Sequence, residues 1–370
     1  MTKTYARLTP LAETLPAAVP FVGPETQERT RGRAFTARLG ANENVFGPSP
    51  KAIAAMQNAA GEAWMYGDPE NYDLRRALSA HHTIPTESIL VGEGIDGILG
   101  YLARLLIAPG DKVVTSQGAY PTFNYHVAGY GGELVTVPYK DDHEDPAALI
   151  AKAKKVGAKL VYIANPDNPM GTWHDAARIQ AMIDAVPEGC LLVLDEAYIE
   201  FAPEGTAPVL DPKDPRVIRM RTFSKAYSLA GARVGYAISH PELITAFNKI
   251  RNHFGMCRIS QAGALAALQD ADYLAETQNN IATARTRIDE IARENGLSTL
   301  PSATNFVAID CGQDGEFARK LLAALVKRNL FVRMPFTAPQ DRCIRISAGR
   351  PQDLDVFAKA LPEALKELRG

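Results

Sequence analysis

From about residue 38 to residue 257 the chain alternates short apolar runs with segments of helical period. The runs are SILV (88–91), KVVTS (112–116), ELVTV (133–137), KLVYIA (159–164), CLLVLD (190–195), VIRMR (217–221) and RVGYAI (233–238). Several are apolar at nearly every position, which requires cover on both faces, and the helices between them imply parallel neighbours. The pattern predicts an α/β large domain over 37–257, with a mostly parallel seven-stranded sheet and helices on both faces. A second, small α+β domain is expected over 258–370. It begins with an alanine-rich helix from Gln261 to about Asn295, followed by NFVAID (305–310), a helix around FARKLLAALVK, LFVR (330–333), CIRIS (343–347) and a last helix from about Pro351. Residues 1–36, with Pro10, Pro16, Pro20 and Pro24 and little periodicity, predict an extended N-terminal arm grouped with the small domain. Such arms often belong to dimers.

Composition narrows the partners. A net charge of -2 gives no basic surface for nucleic acid. The first residues, MTKTYARLTPLAETLP, lack a signal-peptide core, and the most apolar helix, ILGYLARLLIAPG, is broken by Arg104, so no membrane partner is expected. Cys190, Cys257, Cys311 and Cys343 are scattered without CxxC spacing, which predicts reduced thiols and a cytoplasmic location. The histidines show no paired ligand spacing, so no metal site is expected.

Two segments carry the chemistry. LLVLDEAY ends an apolar strand in Asp195, with Tyr198 close behind, and RTFSKAYSLAG places Lys225 after the next strand. A lysine amine, an acid and a tyrosine at neighbouring strand ends suit pyridoxal 5′-phosphate: the amine forms a Schiff base, and the acid keeps the pyridinium nitrogen protonated. Gly92-Glu93-Gly94-Ile95-Asp96-Gly97 also satisfies GxGxxG and opens a helix, which raises a dinucleotide oxidoreductase as a rival. The next strand ends VVTSQG with no acid for a ribose hydroxyl, however, and a glycine turn at a helix N-terminus receives any phosphate.

Segment by segment, ARLGANENVFGPSP, YGDPENYDLRRAL, GEGIDGIL, YPTFNYH, NPDNPMGT, DEAYIEF, RTFSKAYSLAGARVGY and CIRISAG resemble the pyridoxal-phosphate fold type I aminotransferases, and among them the histidinol-phosphate aminotransferases. The resemblance implies a homodimer with shared active sites, and Lys225 as Schiff-base lysine and proton carrier. It also implies Asp195 on the ring nitrogen, Tyr198 and Asn168 on the ring oxygen, and Phe123 stacked on the ring, with Tyr120 and Tyr125 as contenders. Gly94, Ile95, Asp96, Thr222, Ser224 and Arg233 would hold the phosphate, joined by Tyr66 of the neighbouring subunit. Arg345 would take the substrate α-carboxylate near Asn42, and Arg333 a distal phosphate.

The departures concern the substrate end. Phe21 stands where tyrosine is usual, Met170 where threonine is usual, Gly67 follows Tyr66 in place of proline, and His253 precedes Phe254 in place of proline. Loss of the hydroxyl at 21 makes the pocket more apolar, which keeps an aromatic donor beside histidinol phosphate, with a 2-oxo acid such as 2-oxoglutarate as acceptor. A decarboxylase or other lyase on the same fold remains the alternative reaction.

Overall fold

The computed structural model describes residues 7–17 and 21–369; residues 1–6, 18–20 (with Pro20) and 370 lie outside the described residues. The seven apolar runs form one sheet from β1 (Ile89–Gly92), β2 (Lys112–Ser116), β3 (Glu133–Val137), β4 (Leu160–Ala164), β5 (Leu191–Asp195), β6 (Val217–Thr222) and β7 (Gly235–Ile238). Their spatial order is β1-β7-β6-β5-β4-β2-β3, and only β7 runs against its neighbours. β4 and β5 are buried at every position, which is why they read as unbroken apolar runs. The Gly94–Leu106 helix buries Ile95, Ile98, Leu99 and Leu102 against one face, each contributing about 1.5–3 kcal/mol. Helices Pro146–Val156 and Ala176–Asp184 cover the other face through Leu149, Ile150, Ile179 and Ile183.

Two expectations change. The helix foreseen from Gln261 to about Asn295 is two helices, Arg258–Leu268 and Ala271–Glu294. The break falls at Asp270, whose carboxylate binds Lys51 at 2.7 Å, and Gly263 lets the first helix press on Met56. The arm is not extended throughout: Pro24–Arg31 is helical, with proline in its first turn and Gly32 left-handed at its end (φ 70°). Past that turn Ala37–Arg38 pairs in parallel with Leu330–Phe331, which ties the arm to the C-terminal part of the chain. There Phe306–Asp310 and Cys343–Ser347 pair antiparallel under the helices Gly315–Lys327 and Pro351–Arg369. Among the described residues no helix is long and apolar enough to cross a membrane.

Candidate active site

The carboxyl ends of β4, β5 and β6 open into a cavity of about 600 Å³, closed on its far side by Arg333, Phe336 and Arg345. Ligands on open α/β sheets collect at this edge because the chain leaves each strand there in loops free to carry polar groups.

Asp195 is the last residue of β5 and is buried. Its Oδ2 accepts from the Tyr162 hydroxyl at 2.7 Å and its Oδ1 from Ala197 N–H at 2.9 Å. Burial outweighs those bonds and pushes the carboxyl up to about 6. Tyr198 is almost fully buried, and burial likewise holds its phenol well above the ordinary range. Its hydroxyl accepts from Asn42 Nδ2 at 3.1 Å. Lys225 Nζ lies 5.6 Å from the Tyr198 ring centre and donates to the Asn42 carbonyl at 3.1 Å. Burial, with the positive charge of Arg345 second, pushes this amine down to about 8. Among the described residues no carboxylate hydrogen-bonds Lys225, so at neutral pH it stands closer to the reactive free base than an exposed lysine does.

A second cluster sits at the start of the Gly94–Leu106 helix, whose first turn has no side-chain cap. Ser224 Oγ meets Thr222 Oγ1 at 2.9 Å and Arg233 Nη1 at 3.3 Å. Gly94 has φ 76°, and a Cβ on it would lie 2.4 Å from Arg233 Nη2, so only glycine lets the guanidinium approach the turn. Uncapped helical N–H groups, two hydroxyls and a guanidinium form a cradle for a phosphate dianion. The Gly92–Gly97 loop therefore reads as part of this cradle.

Across the cavity Arg345 Nη1 donates to Asn168 Oδ1 at 2.6 Å, and its guanidinium lies 4.9 Å from the Phe306 ring centre. Its buried Nε has no hydrogen-bond partner among the described residues, and burial pushes the group down to about 10. An unpaired donor edge on a buried guanidinium is the complement of a carboxylate. Arg333 pairs with Arg345 through the backbone, at 2.7 Å for Arg345 N–H to Arg333 O. The side chain of Arg333 donates to the Val22 carbonyl at 2.8 Å and lies 5.9 Å from the Phe21 ring centre, which brings the arm into the cavity wall.

Of the residues singled out from sequence, Asn42, Ile95, Asp96, Asn168, Asp195, Tyr198, Thr222, Ser224, Lys225, Arg233, Arg333, Arg345 and Phe21 all line the cavity. Phe123 does not: it is fully buried and stacks on Tyr162 at 4.9 Å, one layer behind the wall. Tyr120 lines the cavity in its place, while Tyr125 is exposed. Tyr66 is outside this cavity, 76% exposed and packed on Phe254 at 4.8 Å. Sequence reading missed Tyr162, Asn44, Asn305 and Ser347. Asn44 Nδ2 bonds the Lys225 carbonyl at 3.0 Å, Asn305 Nδ2 bonds the Asn42 carbonyl at 3.0 Å, and Ser347 Oγ receives Asn42 N–H at 3.0 Å. For Tyr162 a signal existed: it lies two residues before Ala164, which pairs with Asp195, so both side chains reach one sheet edge.

The family described as aminotransferase class I and II matches residues 36–361. Histidinol-phosphate aminotransferase 1 of Nitrosococcus oceani is 35% identical over 348 residues, 93% of each chain. The histidinol-phosphate aminotransferase of an Anaeromyxobacter species is 34% identical over 361 residues, 96% of this chain and 98% of that one. Among solved structures, the histidinol-phosphate aminotransferase from Sinorhizobium meliloti in complex with pyridoxal-5′-phosphate superposes with a TM-score of 0.96 at 53% identity over the whole of both chains. The Thermus thermophilus aspartate aminotransferase with maleate, at 20% identity and a TM-score of 0.77, shares the fold.

Proposed function

The chain belongs to the class I and II aminotransferases, and from that premise we propose that it transfers an amino group from a histidinol-phosphate-like or aromatic donor to a 2-oxo acid, using pyridoxal 5′-phosphate. One observation carries the reading: a single cavity joins an amine held down to about 8, a buried acid, a phosphate cradle and an arginine with a free buried edge.

The residues fit the cofactor. Helix N–H groups at Gly94–Asp96 with Thr222, Ser224 and Arg233 would hold its phosphate, Asp195 its ring nitrogen, and Tyr120 a face of its ring. The Asn168 amide nitrogen, left free by Arg345, and the Tyr198 hydroxyl, whose own proton is uncommitted, would serve its ring oxygen. Bound there, the cofactor supplies an electron sink for the charge left when the donor loses its Cα proton. Lys225 Nζ would anchor the cofactor and would be the base that takes this proton. Asp195 would hold the ring nitrogen through its carboxylate, and Arg345 would fix the donor carboxylate and with it the orientation of the bonds at Cα. Asn42 holds the Tyr198 hydroxyl, Asn44 the Lys225 backbone, and Asn305 the Asn42 carbonyl that meets Lys225 Nζ.

The donor side chain extends toward Arg333, Phe21 and Phe336. A cation beside apolar rings suits a flat ring that carries a phosphate, and the relatives named for histidinol phosphate support that donor. Phe21 offers no hydroxyl, so an unphosphorylated aromatic donor fits as well, and 2-oxoglutarate, a dicarboxylate, suits the two arginines as acceptor. We further propose a homodimer, in which the exposed Tyr66 serves the partner's cofactor phosphate, and a cytoplasmic working place in keeping with four free cysteines. Comparison of kcat/KM for histidinol phosphate and phenylalanine tests the donor; a donor outside both classes preferred over each overturns it.

A further inference from the structure

Behind the cavity, on the opposite face of β5 and β6, lies a buried ion cluster that the chemistry above does not use. Glu196 is 1% exposed and its carboxylate is shared by two arginines of β6. Arg219 donates through Nε at 3.0 Å and through Nη2, and Arg221 donates through Nε at 2.9 Å. Arg219 also reaches the Pro208 carbonyl at 2.9 Å, which secures the connection between the two strands. Burial alone would raise the Glu196 carboxyl, but the two guanidiniums outweigh it and hold it down at about 2. Glu200, His82 and Tyr236 complete the surroundings, His82 and Tyr236 joined at 2.9 Å.

The placement matters because strands alternate. Asp195 and Thr222 face the cavity, whereas their neighbours Glu196 and Arg221 face the other way. The backbone ladder between β5 and β6 ends where Glu196 N–H meets the Met220 carbonyl at 2.8 Å; beyond that point the chains part toward Ala197 and toward Phe223–Lys225. The cofactor would be gripped at its nitrogen by Asp195 on one strand, and at its phosphate and aldehyde by Thr222, Ser224 and Lys225 after the other. A slide of one strand end against the other would loosen one grip or both. A buried ion pair is weak in its net contribution to stability, but a carboxylate forked across two guanidiniums strongly restricts direction.

We infer that Glu196 is a positioning residue, whose pairing with Arg219 and Arg221 sets the distance from Asp195 to Lys225 and so the fit of both ends of the cofactor. The inference rests on the cofactor reading above. Glu196→Gln and Arg221→Lys, the second keeping the charge but not the planar guanidinium with its Nε donor, are compared with Ile179→Ala, a buried substitution in the Ala176–Asp184 helix. Three quantities are read: Tm of the cofactor-free protein, the pH midpoint of the bound cofactor's visible band, and single-turnover bleaching by glutamate. Both cluster variants are expected to move the band midpoint and to slow saturated bleaching about tenfold to a hundredfold, with little change in half-saturation. Ile179→Ala should lower Tm while leaving midpoint and rate per bound cofactor as in the parent. If Glu196→Gln does not fold, Arg221→Lys decides alone. A lower Tm with an unmoved midpoint and an unchanged rate makes the cluster merely structural and overturns the inference. A parent protein with no visible band after reconstitution defeats the cofactor reading instead, before any variant is compared.

Discussion

Asn42 bridges the two principal polar groups of the cavity: its carbonyl accepts from Lys225 Nζ at 3.1 Å, and its side chain donates to Tyr198 Oη at 3.1 Å. It does so at φ 54°, a left-handed conformation that asparagine tolerates better than most residues. Asn42→Gly keeps this backbone and removes the amide, which donates to Tyr198 Oη and accepts from Ser347 Oγ at 3.2 Å, so kcat/KM should fall about tenfold with the first bond and about 1 kcal/mol of stability should be lost with the second. Asn42→Ala should in addition lose about 1–2 kcal/mol of stability to the left-handed conformation. Steady-state rates and melting curves separate the two; equal melting of both variants would contradict the strain argument.

Lys225→Met should abolish turnover, by about 10⁴-fold or more, because anchor and base are lost together. Its effect on stability has a definite sign. The folded amine stands near 8 against an ordinary 10.5, so between those values the unfolded chain holds a proton that the folded chain does not. Stability of the cofactor-free protein therefore rises with pH through that window, and the penalty is present in full below about 8. Cofactor-free Lys225→Met should be the more stable protein at pH 7, by at most about 3 kcal/mol, with the gap closing toward pH 10.5. Paired melting curves across this range check it.

Arg345→Lys retains a charge but not the Nε edge that is left without a partner. Half-saturation for every amino and 2-oxo acid should rise, with kcat/KM falling about ten- to a hundredfold, since a charged hydrogen bond contributes about 1.5–3 kcal/mol. Titration of the visible band with 2-oxoglutarate and glutamate measures it, and unchanged half-saturation would remove Arg345 from carboxylate binding.

Arg333→Ala should weaken a phosphorylated donor far more than phenylalanine, since only the former offers an anion to this guanidinium. Phe21→Tyr should act in the reverse sense, restoring a hydroxyl beside Arg333. Equal losses for both donors in Arg333→Ala would separate Arg333 from donor choice.

How much of this was legible in the sequence follows from the range over which each contact acts. The seven strands were, because runs such as LVYIA and LLVLD are apolar on both faces and admit no other cover. Lys225, Asp195 and Arg233 stood out because each lies in a dense local motif. The break at Asp270 was hidden, since alanine-rich periodicity continues across it and Lys51, more than two hundred residues away, fixes the corner. Phe123 and Tyr120 could not be separated within YPTFNYH: a turn of helix starting at Thr122 directs one to the core and leaves the other at the cavity, a choice set by packing on Tyr162. Asn305 and Ser347 carry no local motif and enter the site only because Asn42 folds onto them.

The most direct test is the visible absorbance of the purified protein reconstituted with pyridoxal 5′-phosphate, recorded before and after separate additions of histidinol phosphate, phenylalanine and glutamate. A yellow band that bleaches with an amino donor and returns with 2-oxoglutarate is the predicted result. A band that none of the three donors moves would contradict transamination from these donors, and the absence of any band would contradict the assignment of Lys225 itself.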